Sequence, residues 1–486
     1  MDSTTIDPPQ RPAPGAVSGL AGLIFFLACV EVASGAIQGY YTPLFKDIGA
    51  HLSVHDADLN WLEAAQLAFA ALVVPPLARL GDLVGHRRVL LASTAVTAAA
   101  SWGIAFAPGF STMLVAWAIQ GAYVIWLPLE VALIHRRTQG NPEQARLTRR
   151  TAAILVAVLD VSIIASALVA GALVDHLSMT TILCIPAVVV TLALPVIALG
   201  VPHVPGAASG GFGWASFGML LVMVGLVMGG LISLRVAGPG SLLGWVLVVA
   251  GLVAAVPWSR LELASAAPLV DLRVIRHPGQ WPIQVAAFLL GITILGAQVP
   301  LSVYARTDPD VAGFGLGLTA AEGSGRIAGY VLCLAIGALL LPLVARAVGL
   351  WIAMAASFAA SAAGYAAWFA VHDSAPVTLL WLVLTGLGSG GLVAAIPAGA
   401  VAAAPPASVG IAAGASNASK LMGGALAAAV FAICLTPHGS ISIRAGEATL
   451  GGYHAVWGIC AVAGLVGAVL MLAARRSAAA VSVGRT

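Results

Sequence analysis

Charge is what this sequence most lacks. Lys, Arg, Asp and Glu together make up 8% of its 486 residues, against roughly 25% in a soluble chain. A deficit of that size excludes a soluble enzyme, a nucleic-acid-binding protein and a receptor with one anchor and a large outer domain. Paired cysteines are missing too. Cys29, Cys184, Cys333, Cys434 and Cys460 lie singly in apolar runs, so neither a disulfide framework nor a thiolate metal site is encoded. The ten histidines are scattered without an H-E-x-x-H pattern, and no cofactor is implied. No stretch alternates apolar and polar residues as barrel strands do, and no G-x-x-x-x-G-K-[ST] loop exists to bind ATP. Gly386, Gly388 and Gly391 spell G-x-G-x-x-G without the strand a dinucleotide site needs, and read instead as small residues for helix packing.

Long hydrophobic runs are present in abundance. Hydrophobic residues make up 60% of the chain and mean hydropathy is +1.00. Fourteen runs, from 17–39 to 454–474, are each long enough to cross a bilayer as a helix. An even number places both termini on one side. If that side is cytoplasmic, sixteen of the 22 basic residues fall in inner loops, five in outer ones, and Lys420 inside a span. This asymmetry predicts cytoplasmic termini in a multi-pass cell (inner or plasma) membrane protein. The expected organisation is an all-α polytopic protein: a disordered cytoplasmic tail (1–16), a six-helix half (17–201), two inserted spans with a linker (202–280), a second six-helix half (281–474) and a cytoplasmic tail (475–486). PLARLG at 76–81 and PLVARAVG at 342–349 are a weak internal echo of that duplication.

The loop PPLARLGDLVGHRRVLL (75–91) resembles the signature of the major facilitator superfamily, with Asp82, Gly85, Arg87 and Arg88 matching. A tight Gly turn there lets two helices approach, while the carboxylate and arginines latch a gate. WLPLEVALIHRRTQGNPEQARLTRR, PLVDLRVIRHPG, GLGSGG and GIAAGASNASKLMGGALAAAV are similar to the 14-span drug/proton antiporter branch. Departures accompany these matches. Trp117 stands where the branch expects Arg before Gln120 and Gly121, SALVAG (166–171) replaces G-P-x-x-G-G, and Met179-Thr180-Thr181 replaces Trp-Arg-Trp.

Ionisable groups at membrane depth cost about 2.5–3.5 kcal/mol each on insertion scales, so each demands a reason. Glu31 heads a stripe with Ser34, Gln38 and Tyr41 on one helix face; with Asp160, near mid-span, it is a candidate proton carrier. Lys420, deep in the thirteenth run, is expected to be the counter-charge of Glu31 or Asp160. Glu130 is read as a gate partner of Arg87 or Arg88, on the face that carries Gln120 and Tyr123. Glu63 and Gln66 share a face near the outer mouth. Gln284, Gly291 and Gln298 recur every seven residues, as a cavity wall of the second half would. Gln66, Trp117, Gln120, Tyr123 and Asn417 complete the candidate substrate-cavity set.

Together these features, through the family resemblance, imply a non-enzymatic secondary transporter. It would export a small amphipathic or hydrophobic, drug-like compound by proton antiport, acting as a monomer whose partners are its substrate, protons and lipid. Proton-coupled uptake or uncoupled facilitated flux of a small metabolite is one alternative, favoured by the missing signatures. A non-transporting receptor or membrane enzyme is another, disfavoured because no loop carries a nucleophile–base cluster.

Overall fold

Hydrocarbon cannot hydrogen-bond a peptide group, so a chain this apolar must satisfy its backbone within each crossing segment. The computed structural model describes residues 15–204, 206, 212–265, 268–404, 409–436 and 448–483, and its regular structure among them is entirely helical. The expected N-terminal tail lies outside those residues except for 15 and 16, whereas 475–483 of the expected C-terminal tail continue the last helix. Among the described residues, fourteen helices are long and apolar enough to cross a membrane. They are α1 (Gly19–Leu52), α2 (Asp56–Val84), α3 (His86–Ala105), α4 (Phe110–Arg137), α5 (Gln144–Leu173), α6 (Met179–Gly200), α7 (Trp214–Ala237), α8 (Leu242–Ala264), α9 (Trp281–Arg306), α10 (Ala320–Val348), α11 (Leu350–Ala370), α12 (Ala375–Ala402), α13 (Ile411–Cys434) and α14 (Leu450–Arg476). Below, the near face is the one where α1 begins and the far face the other.

Four crossings are irregular, α2 among them through a 3-10 turn at its head, Asp56–Leu59. Thr42–Leu44 forms a 3-10 turn in α1 before a short helix, Phe45–Leu52. Gly121–Ile125 is a 3-10 turn inside α4, and Ile292–Gly296 is a π turn inside α9. The 40–59 and 304–325 connections are partly helical, and α8 runs to Ala264.

Small residues decide which helices touch, because lipid supplies no hydrophobic drive for association. A Cβ on Gly35 would lie 2.4 Å from Ser162 Cβ, and one on Gly39 would lie 2.2 Å from the Ile163 carbonyl oxygen, so α1 and α5 meet backbone to backbone. Gly171 brings α5 against Ser324 and the Ala320 carbonyl of α10. Gly291 and Gly423 do the same for α9 and α13, and α13 packs along α2 through Leu67, Ala68, Ala71, Leu421 and Ala425. One buried cluster is built almost wholly from residues 23–201, whereas two others draw mainly on residues beyond 273. The hairpin α7–α8 leans on the α2–α13 seam, with Leu231 and Leu234 against Trp61, Ala64 and Ala428.

The joints between α2 and α3 and between α10 and α11 are single glycines at positive φ, Gly85 (101°) and Gly349 (86°), the conformation that only glycine adopts cheaply. These are the two places where the sequence echo falls. Replacing Gly39 by Leu is expected to lower the midpoint of thermal unfolding in detergent by about 5 °C or more, since the new side chain must part α1 from α5. Gly22→Leu, which meets nothing within 4 Å, is the control and should shift it by less than about 2 °C.

Candidate functional site

The centre of the first six helices holds an acidic pair. Glu31 of α1 and Glu130 of α4 are both fully buried, and their carboxyl groups meet. The Ser34 hydroxyl lies close to Glu31, but all four carboxyl oxygens are enclosed and none receives a hydrogen bond of full geometry among the described residues. Like charges in contact at low dielectric repel strongly. The Tyr123 phenol lies within electrostatic reach of both Glu31 and Glu63, forming a line of acidic and phenolic groups through α1, α2 and α4.

This geometry corrects the reading of Glu130 as a partner of Arg87 or Arg88. Arg87 instead donates to the Ala198 carbonyl at 2.5 Å, and Arg88 is exposed. Asp82 is held by Arg136 at 3.2 Å and by His86 at 3.4 Å, so the carboxylate of the α2–α3 loop is engaged by α4 and not by its own arginines. Gly85 sits under the segment that follows α6: a Cβ there would lie 2.6 Å from the Val204 carbonyl oxygen.

Around the pair, the expected cavity residues separate into two groups. Gln120 is wholly buried; its amide donates to Ser101 Oγ at 2.9 Å and to Tyr41 Oη at 3.3 Å, and its oxygen accepts from Gln66 at 3.2 Å. Trp117 packs on Tyr41 with ring centroids 4.6 Å apart. Gly121 permits this, since a Cβ there would lie 2.5 Å from the Gln66 carbonyl oxygen. Along α1, Gln38 donates to Ser34 Oγ at 3.2 Å.

Asp160 is half-buried on α5. The expected pairing of Lys420 with Glu31 or Asp160 is not formed: neither Lys420 nor Asp160 has an ion pair or hydrogen bond among the described residues. In the last six helices, Gln284 donates toward Gln280 and the Ala412 carbonyl and accepts from Ser419 at 3.2 Å. Gln298 lies beyond the π turn and donates to Thr42 Oγ1 of α1 at 2.7 Å. The seven-residue repeat thus serves two different neighbours. Asn417 and Lys420 line a cavity of about 60 Å3 between α9, α12 and α13.

The far face carries a seal that sequence reading missed. Ser302 donates to the Thr42 carbonyl. Arg306 donates to the Pro43 carbonyl at 3.0 Å and grips Asp47 with both guanidinium nitrogens. Arg235 of α7 pairs with Asp58 at the head of α2 at 2.9 and 3.0 Å. Sequence reading also missed Glu262, buried at the end of α8, where it accepts from Ser216, whose hydroxyl accepts from Trp258 at 3.2 Å. The i, i+4 spacing of Trp258 and Glu262 was the available signal.

Fourteen apolar helices among the described residues, joined by glycine-mediated seams around an acidic core, are the architecture of a multi-pass helical membrane protein. Residues 24–428 match the family described as Major Facilitator Superfamily, and the chain belongs to it. A uridine/deoxyuridine transporter of Lactococcus lactis subsp. cremoris (strain MG1363) is 21% identical over 309 residues, a match covering 62% of this chain and 63% of that protein. Among solved structures, the nucleoside transporter NupG aligns with a TM-score of 0.62 at 14% identity, over 94% of this chain and 98% of its own. A POT family transporter in complex with a thioalcohol-conjugated peptide aligns with a TM-score of 0.69 at 15% identity, over 95% and 96%. At these identities the structures establish the fold.

The enclosed pair carries a stability cost that substitution should reveal. Glu130→Gln gives Glu31 an amide donor and removes one like charge, and is expected to raise the thermal midpoint at pH 8 by about 2–4 °C. Differential scanning fluorimetry of wild type and variant checks this; an unchanged or lowered midpoint would count against a strained pair.

Proposed function

We propose that this chain is a secondary transporter of a small organic molecule, working by alternating access between the helices of 17–201 and those of 281–474, with protons as the coupling ion. The observation that carries this reading is the contact of Glu31 with Glu130, buried and without a hydrogen bond of full geometry among the described residues. On this reading one proton neutralises the pair when α1 and α4 are together; losing it sets two carboxylates against each other and drives the helices apart, biasing the rocking equilibrium by their differential repulsion. Asp160 is a second proton carrier on α5. The Asp82, Gly85, Arg87 and Arg88 loop acts as the near-face gate, now with Arg136 as its basic partner.

The basic loops make the near face cytoplasmic by the positive-inside rule, in a cell membrane. The bonds from Gln298, Ser302 and Arg306 to α1 then seal the outer face, as expected of a state turned toward the cytoplasm. The first reading is export of an amphipathic, drug-like compound by antiport, as the sequence implies, by a chain acting as a monomer. A second reading is proton-coupled uptake or uncoupled flux of a small metabolite, for which the uridine/deoxyuridine transporter suggests a nucleoside.

The test is proton movement in proteoliposomes loaded with a pH dye and offered uridine, dialanine or ethidium in turn. Wild type should move protons with at least one of them, the sign of the luminal pH change distinguishing antiport from symport. Glu31→Gln and Glu130→Gln should each cut that proton flux at least tenfold while sparing exchange of labelled substrate at zero gradient. Wild-type proton flux in both variants sinks the assignment of the pair.

A further inference from the structure

Lys420 is a charge without a partner. It sits midway along α13, and no carboxylate or other hydrogen-bonding group among the described residues engages it. Ala413, Ser416, Asn417 and Lys420 share one face of α13 by their i, i+3, i+4 and i+7 spacing, and all four line the cavity between α9, α12 and α13. The rest of its wall is apolar, including Leu290 and Ile396.

The neighbouring polar groups do not neutralise that charge. Gln284, Gln280 and Ser419 are bonded to one another, and Ser416 spends its proton on the Ala413 carbonyl at 2.8 Å. Pro397 has no N–H for the Val393 carbonyl, but a neutral carbonyl leaves the ammonium's charge standing. Asn417, like Lys420, has no hydrogen-bond partner among the described residues. Two unengaged donor groups, one of them cationic, thus face a space of about 60 Å3, enough for about two waters or for the oxygens of one acidic group. Electrostatics in such an apolar setting are strong, and Lys presents three donors as a point charge.

We propose that this cavity is an anion subsite in which Lys420 and Asn417 receive the carboxylate or phosphate of a small organic anion. The substrate is thereby anchored to the last six helices while protons are handled in the first six. The subsite rests on the transporter reading for its opening to solvent, but not on the proton roles of Glu31 and Glu130.

The test needs no known substrate. Ala413→Cys places a thiol one or two turns from Lys420, and its labelling by two methanethiosulfonates of similar size, an anionic sulfonatoethyl and a cationic trimethylammonioethyl reagent, is followed by peptide mass spectrometry. Each rate is divided by that of the reagent with free 2-mercaptoethanol. The normalised ratio should favour the anion about tenfold or more, fall toward unity with Lys420→Gln, and persist with Lys420→Arg. A ratio insensitive to Lys420→Gln, a preference for the cation, or no labelling by either reagent overturns the proposal. The ratio should also survive Glu31→Gln, so failure of the proton assignment leaves this result readable.

Discussion

In a hydrocarbon solvent no polar atom can be left for water to satisfy, and every other feature of this molecule follows from that. Backbone groups close on themselves as helices, and helices associate where glycine or alanine lets their backbones meet, as at Gly39 against Ile163 and Gly291 against Lys420. Polar side chains then have only each other. Gln120 resolves the problem by bonding Gln66, Tyr41 and Ser101 at once, and Glu262 resolves half of it by accepting from Ser216 with one carboxyl oxygen. Glu31, Glu130 and Lys420 do not resolve it within the protein, which separates them from residues whose role ends with holding helices together.

The unresolved groups are also sorted in space. The acidic pair lies within the helices that build the first core, the lone cation within those that build the second, and the far-face bonds of Arg306 and Gln298 join the two sets. On the proposed reading, protons are exchanged in one body and a solute is held in the other. Motion between the bodies then couples the two without any group having to serve both.

How much of this was legible in the sequence varied with the physics. Crossings were legible because a span needs only length and apolarity, and Gly85 was legible because a two-helix joint this tight requires a residue tolerant of positive φ. The stripe of Glu31, Ser34, Gln38 and Tyr41 could be drawn because α1 is regular over that stretch. The partner of Glu130 could not. The 3-10 turn at Gly121–Ile125 advances about 120° per residue in place of 100°, so five residues add about 100° of rotation that face arithmetic from Gln120 does not contain. Glu262 escaped because Ser259, Arg260 and Glu262 look like the start of a polar loop, whereas the helix persists for Glu262 to reach Ser216. Arg306 and Arg235 were read as loop charges; their carboxylate partners lie 259 and 177 residues away, a separation that no local pattern encodes.

The π turn in α9 gives the far-face seal a mechanical character. Such a turn stores one residue more than an α-helical turn. Returning Ile292–Gly296 to α geometry would swivel everything beyond it by about 100°, carrying Gln298 and Ser302 away from Thr42 in a single movement while Gln284, on the other side of the turn, stayed where it is. The helix is thus a screw with a slack thread: the far-face bonds can be withdrawn by rotation alone, without the tilt of a whole half that hinge-like opening demands.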